Sequence, residues 1–168
     1  EDVFRQAGVD ATKIKTWDDY YEAAEKLKEI GAYIAADSGD GSFYDAMVWL
    51  AGGQPFHTSA DGKTVTIDLD EDAGTQRFTE FWQKMIDEGL VDTTSATWSD
   101  RWKSRVGTGT IASVFSGAWM PSLLLSNVPG AAGLWRVAPM PTYGGQPANA
   151  ENGGSALTVL QLTRKPDA

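Results

Sequence analysis

Apolar positions recur at helical spacing from Tyr20 through Ala23, Ala24 and Leu27 to Ile30, with Thr16 and Asp19 placed to cap the entry. The pattern predicts a helix that closes at Gly31. A shorter one precedes it, because Glu1 to Gly8 reads as a helix tail ended by a glycine in the left-handed cap position. After the loop Asp37-Ser38-Gly39-Asp40-Gly41, the run through Phe43, Met47 and Leu50 predicts a second short helix that stops at Gly52-Gly53. Gln54–Phe56 and Thr64–Leu69 flank a turn at Asp61-Gly62-Lys63, the pattern of a small hairpin.

From about Asp72 to Glu88 the stripe Phe78, Phe81, Trp82, Met85 and Ile86 predicts a long amphipathic helix, with Gly89 as its stop. A polar helix over Asp100–Val106 follows. The apolar run Ile111–Phe115 reads as a strand that breaks at Gly117 and restarts as a helix through Leu125. Trp135–Ala138 reads as another strand, Pro139–Gly154 as a proline- and glycine-rich crossing, and Ala156–Leu162 as a buried strand. Arg164 to Ala168, with Pro166, resembles the entry of a further helix. The whole is a helix-rich α/β pattern with short strands and no internal repeat, and both ends read as cuts within a longer protein.

Composition narrows the function classes. The chain has 168 residues, 42% hydrophobic and 22% charged, the balance of a globular protein. Without cysteine, neither a disulfide framework nor a thiolate metal site can form. A formal net charge of −9 and no basic run argue against nucleic acid or an anionic membrane as partner. The acidic surface is read as solvation, although a cationic ligand stays compatible with it.

Catalytic chemistry needs converging acids, bases or nucleophiles, and none stands out. His57 is the single histidine and lies beside a turn without a serine or cysteine motif. Asp68, Asp70 and Asp72 imitate the opening of a calcium loop, but Ala73 and Thr79 occupy the positions where such a loop needs Gly and Glu. Capping of the following helix is the better reading, and neither a metal nor a cofactor is expected. The seven tryptophans divide more usefully. Trp17 and Trp82 fall on packing faces. Trp119 follows Gly117 at a strand-to-helix break, where an indole can be presented to a ring ligand; Phe43 and Tyr44 sit at a similar break. Aromatic faces beside Asp40, Asp45 and Asn152 suit a sugar, whose C–H faces stack while its hydroxyls need fixed partners.

The order of segments resembles the extracellular solute-binding proteins that serve ABC importers of sugars, the group that includes maltose-binding protein. Lys15-Thr16-Trp17-Asp18-Asp19-Tyr20 is similar to the family's "P-x-T-W-D-E" helix entry, and Trp49-Leu50-Ala51-Gly52-Gly53 to the helix that ends in paired glycines. Asp87-Glu88-Gly89-Leu90-Val91 matches the "K-x-G-L-V" close, and Gly109 to Val114 with Ser116-Gly117-Ala118-Trp119 the "G-K-x-A-M…N-G-x-W" segment. Val137-Ala138-Pro139-Met140-Pro141 followed by Gly153-Gly154-Ser155 resembles the strand and crossover near the hinge. Ser116, Ala118 and Thr110 depart from the usual Asn, Pro and Lys.

The resemblance implies a periplasmic-binding-protein-like class II fold that closes like a hinge on its ligand without covalent chemistry. Residues 1–152 would form most of a C-terminal lobe, and residues 153–168 the crossover and strand returning toward the N-terminal lobe. It places Trp119 at the sugar-stacking tryptophan, Phe43 or Tyr44 near a second stacking aromatic, and Asn152, Gly153 and Gly154 where the hinge meets ligand. The expected partners are a sugar or oligosaccharide and the permease subunits of an ABC transporter. The parent is expected to be a monomer outside the cytoplasm, touching membrane through a lipid anchor beyond these residues. Two other classes remain open from the residues themselves: a domain of a carbohydrate-active hydrolase, and an adhesion or scaffold module with a flat aromatic patch.

Overall fold

The second helix shows how local chemistry sets the architecture. Thr16 Oγ1 accepts from the Asp19 backbone N–H at 3.1 Å, and the Asp19 carboxylate accepts from the Thr16 N–H at 2.8 Å. This reciprocal cap satisfies two backbone donors that the first turn leaves open. The computed structural model describes residues 1–146, 148–151 and 153. In chain order the helices are α1 (Asp2–Gln6), α2 (Trp17–Glu29), α3 (Tyr44–Leu50), α4 (Ala73–Asp87), α5 (Asp100–Thr108) and α6 (Met120–Asn127). The strands are β1 (Ala35–Ala36), β2 (Phe56–Thr58), β3 (Val65–Ile67) and β4 (Val91–Asp92).

β1 pairs in parallel with β4, Ala35 opposite Val91. On the other edge of β1, Tyr33 forms a parallel bridge with Ile111, and the N–H groups of Ala112 and Ser113 donate to Tyr33 O and Ile34 O. The result is a narrow parallel arrangement with β1 in the centre and its two neighbours pointing the same way. Parallel strands need crossover connections, and here α3, the β2–β3 hairpin and α4 supply the one between β1 and β4. β2 and β3 pair antiparallel, Phe56 opposite Ile67, and the hairpin stands in solvent.

Two packed clusters hold these elements. The larger joins α1 to α4 with the β1–β4 pair through Trp17, Tyr20, Leu27, Ile34, Met47, Phe78, Trp82 and Met85. The smaller gathers Trp102, Val106, Ile111, Met120, Leu124 and Val128 around α5 and α6. α3 and α4 meet at glycines. Gly74 lies so close to Gly53 that a Cβ at 74 would overlap the Gly53 backbone. Gly74→Ala is therefore expected to destabilise by about 1–3 kcal/mol through forced separation of the helices. A thermal melt checks this, and an unchanged midpoint would show that the contact yields freely.

Several expectations are corrected. Ile30 is not part of the buried stripe of α2; it lies past the last helical turn, exposed. α5 is not simply polar, because Trp102 and Val106 are buried on its inner side. The predicted strand Ile111–Phe115 is regular only at Ile111: the ladder ends near Ser113, and Phe115 then turns in to pack on Tyr20, Phe43 and Trp82. Trp135–Ala138 forms no strand; Val137 is exposed, and no neighbouring strand pairs with the run among the described residues. Asp72 caps α4 by accepting from Thr75 N–H at 2.7 Å, as its position suggested. The predicted strand Ala156–Leu162 and the helix entry after Arg164 lie outside the described residues.

Candidate functional site

In open α/β sheets the carboxyl ends of parallel strands are where backbone turns away and side chains can converge on a ligand. Here three such ends come together: β1 runs into Asp37–Phe43, β4 into Thr93–Trp98, and the Ile111 edge into Phe115–Trp119. Of the sequence candidates, Asp40 and Phe43 lie in the first of these loops, Tyr44 and Asp45 in the first turn of α3 directly after it, and Trp119 in the third.

At the end of β1 lies a cavity of about 190 Å³, walled by Phe43, Tyr44, Phe78 and Trp82 and closed by Asp37 with Gly39 and Gly41. Its aromatic rings brace one another. Phe43 meets Trp82 edge-on at 5.4 Å, Trp82 stacks on Phe78 at 5.8 Å, and Tyr44 meets Phe78 edge-on at 5.5 Å. Phe115 links this group to Trp17 and Tyr20, so the wall is continuous with the core. The polar groups are equally fixed. Asp37 accepts from Gly39 N–H at 2.8 Å and from the Trp82 indole N–H at 2.7 Å, and its own N–H donates to Asp92 O. Thr79 donates its hydroxyl to Thr75 O, which leaves Tyr44 as the donor in its 2.6 Å bond to Thr79.

Phe43 and Tyr44 thus share one wall, as their position at a loop-to-helix break suggested. Asp40 is exposed on the loop; its carboxylate accepts from Ser42 N–H, a bond that holds its pKa below the usual value. Asp45 is exposed in the first turn of α3, outside the cavity. Trp119 stands apart from these residues at the start of α6, 43% exposed, with its indole laid over Gly117. A Cβ at 117 would lie 2.7 Å from the Trp119 Nε1, so the glycine permits this ring position. Gly153 is exposed, and Asn152 and Gly154 lie outside the described residues.

Two residues of this cavity escaped sequence reasoning. Asp37 looked like one more loop aspartate, and Trp82 looked like core; it is core, and it also forms the cavity wall. Trp98, on the loop after β4, is the one non-glycine residue with positive φ among those described, at 69°, and it packs on Trp102 at 5.0 Å. A bulky residue in that region is held there by its surroundings. The loop is anchored below by Asp92, whose carboxylate takes the Thr94 N–H and hydroxyl and faces Arg105 Nη1 at 2.6 Å. Burial raises the Asp92 pKa, but the Ser95 and Thr94 hydroxyls and the Arg105 guanidinium more than offset it and bring it to about 2.

A broader, shallower depression of about 530 Å³ between α2 and α4 is lined by Asp18, Arg77, Glu80, Lys84 and Tyr143. Its cations are engaged in packing: Arg77 lies over the Tyr143 ring and donates to Ala51 O, and Lys84 lies 3.8 Å from the Tyr21 ring centre. Among the described residues no cluster of His, Cys, Asp or Glu could hold a metal ion, and no helix is long and apolar enough to cross a membrane.

A short parallel sheet flanked by helices, with aromatic loops gathered at its carboxyl ends, is the architecture of periplasmic-binding-protein-like proteins. The chain belongs to the bacterial extracellular solute-binding proteins, whose family model matches residues 1–168. A solved structure of the ABC transporter associated binding protein from B. animalis subsp. lactis Bl-04, in complex with beta-1,6-galactobiose, is 55% identical with a TM-score of 0.89, over 98% of this chain and 41% of that one. A solute-binding protein from Thermotoga lettingae TMO, bound with alpha-D-tagatose, is 22% identical with a TM-score of 0.67, over 88% of this chain and 38% of that one, a likeness of fold. The arabinooligosaccharide-binding protein of Bacillus subtilis (strain 168) is 24% identical over 97% of this chain and 37% of its own length. The chain therefore spans about two fifths of the length of the relatives it matches.

Proposed function

We propose that these residues form most of the C-terminal lobe of a two-lobed extracytoplasmic receptor that captures a neutral sugar or oligosaccharide and delivers it to an ABC importer. The observation that carries this reading is the braced aromatic cavity at the carboxyl end of β1, in a chain 55% identical to a binding protein complexed with beta-1,6-galactobiose. Phe43 and Tyr44 present ring faces on this lobe, and Trp119 supplies a third from the loop after Ile111. Asp40 and Asp45 stand as polar groups toward the opposing lobe, and residues 153–168 cross to that lobe, with Asn152, Gly153 and Gly154 approaching ligand near the hinge. Hinge closure brings the second lobe over the ligand.

Each stacked aromatic contributes about 0.5–1.5 kcal/mol beyond area burial. A hydroxyl left unpaired on closure costs about 1–3 kcal/mol. Aromatics thus set affinity and polar groups set specificity. The role is capture and release, and the receptor works as a monomer held at the membrane by a lipid anchor outside these residues. A panel of neutral glycans, headed by beta-1,6-galactobiose, incubated with the full-length protein tests it. Saturable binding with glycan recovered intact is expected; newly released reducing ends would instead favour a carbohydrate-active hydrolase.

A further inference from the structure

Among the described residues, the lining of the cavity at the end of β1 carries one charged side chain, Asp37, beside the aromatic side chains of Phe43, Tyr44, Phe78 and Trp82 and the backbone of Gly39 and Gly41. An ionised carboxylate has about four lone-pair sites. Two are taken within the protein, one oxygen by Gly39 N–H at 2.8 Å and the other by the Trp82 indole N–H at 2.7 Å. Both oxygens are thereby fixed in direction, and each keeps capacity to accept from a ligand. The main chain is fixed as well, because Asp37 N–H donates to Asp92 O at 3.0 Å across the end of the parallel pair. Among the described residues neither arginine nor lysine lines the cavity, so on this face no described side chain compensates a negative charge on a ligand. The volume of about 190 Å³ is below the roughly 300–1,000 Å³ of complete ligand pockets, the scale of one ring of a longer ligand.

We infer that Asp37 is the polar selector of this cavity: it accepts two hydroxyl hydrogens from one ring of a neutral sugar and excludes rings that carry a carboxylate or phosphate, while Trp82 positions it. This rests on the sugar-binding reading above and adds a substrate class and two residues to it. Trp82 acts twice. Its ring, stacked on Phe78 and edge-on to Phe43, forms an apolar wall, and its N–H holds the carboxylate. An acidic sugar would bring a second negative charge against the Asp37 carboxylate, which has two hydrogen-bond donors and no cation beside it among the described lining residues, and once solvent is displaced like charges repel more strongly than in bulk water.

The test is calorimetric titration of the full-length protein with beta-1,6-galactobiose and with the same disaccharide oxidised to a uronic acid at one ring. The wild type is expected to bind the neutral disaccharide at least tenfold more tightly than the uronate. Asp37→Asn is expected to weaken the neutral ligand at least tenfold and to narrow that ratio. Trp82→Phe keeps a ring and removes the N–H; a loss of about fivefold is expected, with the double variant no weaker than Asp37→Asn alone to within twofold. His57→Ala, on the exposed hairpin, should leave every titration unchanged. Thermal melts report whether each variant folds, and the wild-type ratio together with Trp82→Phe decides the matter if Asp37→Asn does not. Wild-type binding with Asp37→Asn within twofold of it, or equal affinity for neutral and acidic disaccharides, overturns the selector alone. Failure of the wild type to bind any neutral glycan overturns both the selector and the sugar-binding reading.

Discussion

Asp92→Ala is expected to lower the unfolding free energy by about 1–3 kcal/mol, the cost of leaving the Thr94 donors and a partly exposed Arg105 guanidinium without their partner. The carboxylate is 1% exposed, faces Arg105 Nη1 at 2.6 Å and takes both donors of Thr94. Its removal strands the guanidinium, which also lies over the Tyr33 ring. Chemical denaturation at neutral pH checks the magnitude; a loss below about 1 kcal/mol would mean that Arg105 finds solvent readily. The pH dependence has a defined sign. Because the folded-state pKa is lowered from the ordinary carboxyl value of 3.8 to about 2, the stabilisation is complete above about pH 4 and is lost as the pH falls toward 2. Asp92→Ala should accordingly flatten the acid limb of the stability curve over that interval. The same residue holds the loop that carries Trp98, so the variant should also raise exposure of Trp98 to quenchers.

Trp119→Ala is expected to do the reverse, with a large effect on binding and a small one on stability. The indole is 43% exposed and rests on Gly117, so its loss should change unfolding free energy by no more than about 0.5 kcal/mol. In the full-length protein the affinity for a bound neutral oligosaccharide should fall at least tenfold. Paired melts and titrations separate the two effects. Unchanged affinity would remove Trp119 from the ligand surface, whereas a large loss of stability would return it to the core.

Local chemistry was the most legible part of the chain. The reciprocal Thr16–Asp19 cap, the Asp72 cap and the glycine stops lie within a few residues of the elements they bound, and each could be read from spacing. Phe43, Tyr44 and Trp119 could be singled out as candidates, because an aromatic at an element boundary departs from the stripe around it. Strands were less so. Ile111–Phe115 and Trp135–Ala138 have the apolar character of strands, but a strand is defined by its neighbour, and no local pattern records that the ladder beside Tyr33 ends after two further hydrogen bonds. Asp37 and Trp82 were missed for the same reason. They meet 45 residues apart in sequence, and Trp82 satisfies the helical stripe so well that the bond from its N–H to Asp37 leaves no trace in the pattern.

In the proposed receptor the ligand site is divided between two lobes, and these residues form most of one. Parallel titration of beta-1,6-galactobiose into the full-length protein and into the 168-residue chain addresses that division directly. Saturable binding by the full-length protein, with affinity lost by at least a hundredfold in the 168-residue chain, is the predicted result. Equal affinity of the two would contradict it, because a complete site would then lie within these residues.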